Sequence, residues 1–201
     1  MILEHILQYM GRPPRHDADR LLDAAVALAA ETGPRGVTMA AVARAAGAPS
    51  GSVYHRFPDR AALLSALWLR TVTRFQEGVF AALGGSPQDA AVTMARHAVE
   101  WCREHPDEAR VLLAGPGDFG LAEWPSGARE RLTAGNARLE KALADLARRL
   151  GKADERGRSR VRLAVIDLPY AVVRRYLVRG EPIPALEVGT VGDAVRDLLA
   201  G

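Results

Sequence analysis

Between Thr38 and Leu64 the chain reads TMAAVARAAGAPSGSVYHRFPDRAALL, two short apolar-periodic stretches hinged at Gly47 and followed by an aromatic pair that opens a third. Val42, Ala43 and Ala46 recur at three- and four-residue spacing. That is the buried stripe of a helix too short to persist without tertiary packing. Thr38 stands just ahead of the stripe, where a hydroxyl can accept a hydrogen bond from an orphan first-turn amide. Gly47 follows it, at the position past a helix end where a left-handed backbone penalises a Cβ. Pro49 has no amide proton to lose and suits the first position of a second very short helix, Pro49 to Phe57. In that helix Val53 and Phe57 fall four apart and anchor one side to a core, leaving Ser50, Ser52, Tyr54 and His55 outside. Small side chains at a helix N-terminus let the backbone approach a groove closely, and the positive end of the dipole favours phosphate. The arrangement is a helix-turn-helix, and it predicts a double-stranded DNA partner read in the major groove.

The rest of the chain reads all-α, without the alternation of strands. The pattern predicts a long helix from Arg60 to Leu83, closed by Gly84 and Gly85, and a helix capped by Ser86 that runs to His105 ahead of Pro106. A short helix over Asp107 to Ala114 then ends in the loop Gly115 to Asp118. Ser126 is read as the cap of a helix reaching Leu150, and two more follow, Glu155 to Arg179 and Leu186 to Ala200. With a first helix from Ala18 to Thr32, that makes about nine.

Composition narrows the classes. With 201 residues and 48% hydrophobic content the chain can bury a core. No unbroken apolar run is long enough to span a bilayer, so no membrane association is expected. The opening Met1 to Met10 lacks the basic start and small-residue cleavage site of a secretory signal, and Met10 is an equally good start. The single cysteine, Cys102, shares a helix face with Ala91, Ala95 and Ala98, fits a reducing cytoplasm and reads as core packing. A net charge of +3 is modest for a DNA binder, so bulk electrostatics alone will not hold it on a duplex. Arg12 and Arg15, in the tip Arg12-Pro-Pro-Arg15-His16, form either a flexible arm reaching phosphates or the minor groove, or a solubilising tail.

The motif resembles the N-terminal domain of TetR-type transcriptional regulators. The turn Ala46-Gly47-Ala48-Pro49, the Tyr54-His55-Arg56-Phe57 end of the second helix, and Arg60 followed by Leu63 and Leu64 hold that family's spacing over roughly the first third of the chain. Pro49 departs from the usual small polar residue, and Ala40 and Ala41 leave the start of the preceding helix without polar side chains. The resemblance implies that Thr38, Tyr54, His55 and Arg60 touch phosphate and that Ser50, Gly51 and Ser52 face base edges. It implies a DNA-binding domain over 1–59 and a helical effector-binding and dimerisation domain over 60–201. It also implies pairing of the last two helices with their copies across a two-fold axis, a near-palindromic operator with half-sites roughly 34–36 Å apart, and release of DNA when an effector tilts the helix from Arg60.

For the dimer face the helix over Glu155 to Arg179 offers two apolar stripes where a monomer needs one. Val161, Val165, Leu168 and Val172 form the first, joined by Val191, Val195 and Leu198 of the last helix. Ile166, Tyr170 and Val173 lie on the second and are candidates for an effector pocket with Met94, His97 and Trp101, and with Phe119 and Trp124. Asn136 interrupts the stripe of Leu132, Leu139, Leu143, Leu146 and Leu150, and is either a ligand contact or a buried structural hydrogen bond. Such a pocket would take a small apolar or aromatic effector. His97, Glu100 and Glu104 fall at metal-helix spacing, but the second motif such sites use is missing. The sequence holds no catalytic elbow, phosphate-cradling loop or paired-cysteine motif. No metal, cofactor or enzymatic activity is expected. The alternatives are an effector-independent helix-turn-helix protein and a helical metal-binding protein or enzyme.

Overall fold

Short polar side chains fix most of the helix starts. Thr38 Oγ1 accepts from Ala41 N at 3.1 Å, Asp59 Oδ1 from Ala62 N at 2.7 Å, Ser86 Oγ from Asp89 N at 3.1 Å and Asp154 Oδ1 from Gly157 N at 3.0 Å. Each satisfies an amide that the helix itself leaves orphaned. In the computed structural model, which describes residues 14–200, the α-helices are α1 (Pro14–Thr32), α2 (Met39–Ala45), α3 (Ser50–Arg56), α4 (Arg60–Ala81), α5 (Pro87–Glu104), α6 (Pro106–Asp118), α7 (Ser126–Arg149), α8 (155–177) and α9 (Leu186–Leu199). Nine helices and no strand make up the described residues.

Two expected helix starts shift by one residue. Pro49 and Pro125 occupy the extended capping positions, so Ser50 and Ser126 are the first helical residues of α3 and α7. A proline's fixed φ suits either place. Gly47 turns the chain between α2 and α3 at φ 60°, as the hinge requires. At Gly115, φ 77° and ψ 164° break α6 at the start of the expected loop, with a short second segment continuing to Asp118.

Helix α8 is continuous but not uniform: Glu155–Arg162 and Leu168–Leu177 flank a π turn at Leu163–Asp167. Pro169 explains it. A proline in an α-helical interior clashes with the carbonyl four residues back and donates nothing to it. Here the amide of Leu168 reaches back to Leu163 O, and the extra residue in the turn accommodates the ring.

Two apolar cores result. The first joins Leu21, Leu22 and Val26 of α1, Val42 of α2, Val53 and Phe57, and Leu63, Leu64, Leu67 and Trp68 of α4 to Val111, Phe119, Trp124 and Leu132. The second joins Val79 of α4 to Met94, Val99 and Trp101 of α5, Leu143 and Leu146 of α7, and the inner faces of α8 and α9. The motif's core therefore reaches well beyond residue 59, the expected end of the first domain. Three helices belong to both cores: α4 along its length, α6 through Ala109 in one and Val111 in the other, and α7 through Leu143 and Leu146 in one and Leu132 in the other. No described helix is long and apolar enough to cross a membrane.

Candidate nucleic-acid interface and effector cavity

The α2–α3 unit is built around one buried side and one open side. Val53 is fully buried and Phe57 is 8% exposed, whereas Tyr54, the residue between them on the other side, is 58% exposed. Burying Val53 and Phe57 contributes about 1.5–3 kcal/mol each and orients everything else on α3. Ser50, Gly51 and His55 stand exposed and Ser52 half-buried. A Cβ placed on Gly51 would meet open space, so this turn of α3 has no protein neighbour above it. Thr38 is exposed while its hydroxyl caps α2.

Arg60 has a role that the sequence did not signal. Its Nε donates to Val37 O at 2.8 Å and its Nη2 to Pro34 O at 2.6 Å. The guanidinium thus clips the loop before Thr38 onto the first turn of α4, and its commitment is to the protein backbone. Arg70 makes a second tie, from α4 to Asp23 of α1 at 2.8 Å and to the carbonyl of Asp19 at 3.0 Å. Arg12 lies outside the described residues. Arg15 falls in the first turn of α1, so the expected arm does not run free as far as that residue.

Within the helical body α4, α5, α6, α7 and α8 enclose a cavity of about 230 Å³. Phe75 and Val79 of α4, Met94, Ala98 and Cys102 of α5, Ala109, Leu112 and Leu113 of α6, Leu139 of α7, and Val165, Ile166, Pro169, Tyr170 and Val173 of α8 form its wall. No charged side chain is among them. Burial pushes the Cys102 thiol up from 9.0 to about 12, because this wall offers nothing to stabilise a thiolate.

Met94, Ile166, Tyr170 and Val173 thus stand in the wall, and five other expected pocket residues do not. His97 and Trp101 lie behind Phe75: His97 Nε2 is 2.9 Å from Phe75 O, its ring stacks at 5.6 Å, and Trp101 meets the same ring edge-on at 5.3 Å. They hold a wall residue in place. Phe119 and Trp124 belong to the first core, where Trp124 packs 6.0 Å from Trp68 and donates to Phe119 O at 2.8 Å. Asn136 is exposed, at a separate α4–α7 groove with Arg70, Arg74 and Gln76, so it does not interrupt a buried stripe.

The expected dimer face needs a larger correction. Val161, Val165, Val191 and Val195 are at most 2% exposed within one chain, because α5 packs against both α8 and α9 and covers them. Leu168, Val172 and Leu198 are half-buried against the same core. The large apolar side chains that do face outward here are Leu163, Tyr170, Val178 and Leu186. Among the described residues no cluster of three or more His, Cys, Asp or Glu side chains could hold a metal.

Residues 21–67 match the family model of bacterial regulatory proteins of the tetR family. The whole chain is similar in fold to the fatty acid degradation regulator FadR from Bacillus halodurans, at TM-score 0.71 and 18% identity over 95% of this chain and 96% of that one. It is similar also to the transcriptional regulator FadR from Bacillus subtilis, solved in complex with stearoyl-CoA, at 0.67 and 16% over 90% and 96%. The TetR family regulator PfmR from Thermus thermophilus gives 0.67 and 21% over 90% and 94%. Sequence comparison with curated proteins finds no match.

Proposed function

From the premise that this chain is a TetR-family transcriptional regulator, we propose that it is a homodimeric repressor released from a near-palindromic operator by an apolar effector. Thr38, Tyr54 and His55 contact phosphate in this reading, and the Ser50-Gly51-Ser52 turn approaches base edges. Arg60 acts mainly by holding the loop that presents Thr38. A domain over 60–201 senses the effector and dimerises, with the first part of α4 shared with the reading domain.

One observation carries the sensor reading. The helix that leaves the reading head, α4, places Phe75 and Val79 in the cavity wall, while its first turns are buried against α1, α2 and α3. Helix α6 does the same: Leu112 lines the cavity and packs against both cores. A ligand that pushes these walls apart displaces α4 and α6 together and changes the separation of two symmetry-related copies of α3. Such a ligand must prefer the released state, and a coupling of about 1–3 kcal/mol weakens operator affinity roughly five- to 150-fold.

The wall's chemistry selects a hydrocarbon or aromatic body with few polar groups. The stearoyl-CoA complex of the Bacillus subtilis neighbour supports an effector that carries a long hydrocarbon. The test is fluorescence anisotropy of labelled operator DNA against acyl chains of graded length, in free and thioester form, and against aromatic acids. Release by at least one apolar member, abolished by Val173→Trp, supports the reading. DNA binding indifferent to all of them, with no member raising the melting temperature, leaves an effector-independent DNA-binding protein. For the dimer, the exposed faces of α8 and α9 replace the buried valines as the contact surface, and sedimentation at twice the chain mass is expected.

A further inference from the structure

The π turn of α8 leaves its own main chain short of hydrogen-bond donors. The amide of Leu168 goes to Leu163 O, five residues back, and Pro169 has no N–H to give. From Leu168 the α pattern resumes with Asp167 as its cap, whose carbonyl accepts from the amide of Ala171. One uncommitted amide is then left within helical reach of the carbonyls of Ala164, Val165 and Ile166. It belongs to Tyr170, which can reach back four residues to Ile166 O or five to Val165 O, and not to Ala164 O. Ala164 O and one of the pair Val165 O and Ile166 O therefore have no donor within the helix.

One of these unpaired groups stands in the cavity wall. A helical carbonyl points along the axis toward the residue one turn ahead, which sets Val165 O beside Pro169 and Ile166 O beside Tyr170. All four residues line the cavity, and Val165 and Pro169 are buried. The surrounding side chains are hydrocarbon apart from Met94, Cys102 and the Tyr170 hydroxyl. A molecule that fills the cavity strips water from this carbonyl, and unless it brings a donor the group stays buried and unpaired. A carboxylate or a thioester offers only acceptors; a hydroxyl or an amide N–H completes the pair. A charged ammonium would donate as well, but the wall has nothing to balance its charge.

We infer that the cavity selects apolar molecules carrying a neutral O–H or N–H donor, and that this donor pairs with the unpaired carbonyl of the π turn at Val165 or Ile166. The inference rests on the effector cavity proposed above and adds the functional group by which it discriminates. Pro169 is then a specificity-determining residue, acting through the main-chain acceptor that its missing N–H leaves open.

The test uses the full chain with the neutral fluorophore Nile red, which has no O–H or N–H, as cavity probe. Its displacement is titrated with matched pairs that differ by the donor: butylphenol against butylanisole, and decanol against decyl methyl ether. Each hydroxyl compound is expected to bind about tenfold more tightly than its ether, or better. Pro169→Ala returns an amide to Val165 O, so the preference should disappear while Nile red still binds. Val173→Ala trims the same wall without altering the main chain, and should weaken both members of each pair while keeping their ratio. Ethers that bind wild-type protein as tightly as their hydroxyl partners overturn the inference. A preference that survives Pro169→Ala, or one that Val173→Ala abolishes equally, overturns it too. Wild-type protein that takes up neither Nile red nor any of the competitors instead brings down the cavity reading on which this rests.

Discussion

At the scale of single residues, the reading head separates side chains that hold from side chains that reach. Val53 and Phe57 are spent on the core, so Tyr54 at 58% exposure is free to leave it. Tyr54→Ala is expected to change unfolding free energy by no more than about 0.5 kcal/mol and to weaken binding to operator and to unrelated duplexes by about 1 kcal/mol alike, as loss of a phosphate contact does. Arg60→Ala is expected to behave oppositely. It removes two charge-assisted bonds to the carbonyls of Val37 and Pro34 and should cost about 1 kcal/mol of stability in a denaturant titration, the partial exposure of the site keeping the loss small. Cys102 sets a pH limit. Its folded pKa, about 12, lies above the unfolded 9.0, so its contribution is intact below pH 9 and is lost as pH rises toward 12. Cys102→Ser should flatten that alkaline decline in melting temperature, and native wild-type protein should resist thiol reagents at neutral pH.

At the scale of elements, α4 and α5 approach closely because Gly78 has no side chain. A Cβ there would stand 2.1 Å from Cε1 of His97, whose ring is held by Phe75 on two counts and cannot swing away cheaply. Gly78→Ala is expected to cost about 1–3 kcal/mol through overpacking and to shift operator affinity without added effector, read by calorimetry and anisotropy. The elements also show where sequence reading succeeds. The caps at Thr38 and Ser86 and the hinge at Gly47 are settled by chemistry within four residues, and all three stand where the local pattern puts them. The π turn at Leu163–Asp167 is hidden in the sequence because Pro169 sits in an unbroken apolar pattern. The two stripes of α8 are both visible, yet which one faces inward depends on α5 lying across α8 and α9, which no local spacing records. Trp124 pairs with Trp68 across a long stretch of chain, and Asn136 leaves its leucine stripe because α7 turns that residue outward. Residues of the cavity wall on α8 are legible as an apolar face; those behind it, His97 and Trp101, look the same in sequence.

At the scale of the whole molecule, two cores share three helices, and in the proposed function that sharing ties the state of the cavity to the attitude of α3. A rigid joint of this kind transmits displacement because packed interiors do not absorb it. The net charge of +3 is modest for a DNA binder, so specific approach by α3 matters more than bulk attraction. Protection mapping of the DNA upstream of the chain's own gene, with and without Tyr54→Ala, tests the central claim most directly. The account predicts two protected half-sites related by a dyad, with centres about 10–10.5 base pairs apart or a multiple of that, both fading together in the variant. Protection of a lone half-site, or a footprint identical in wild type and Tyr54→Ala, would contradict it.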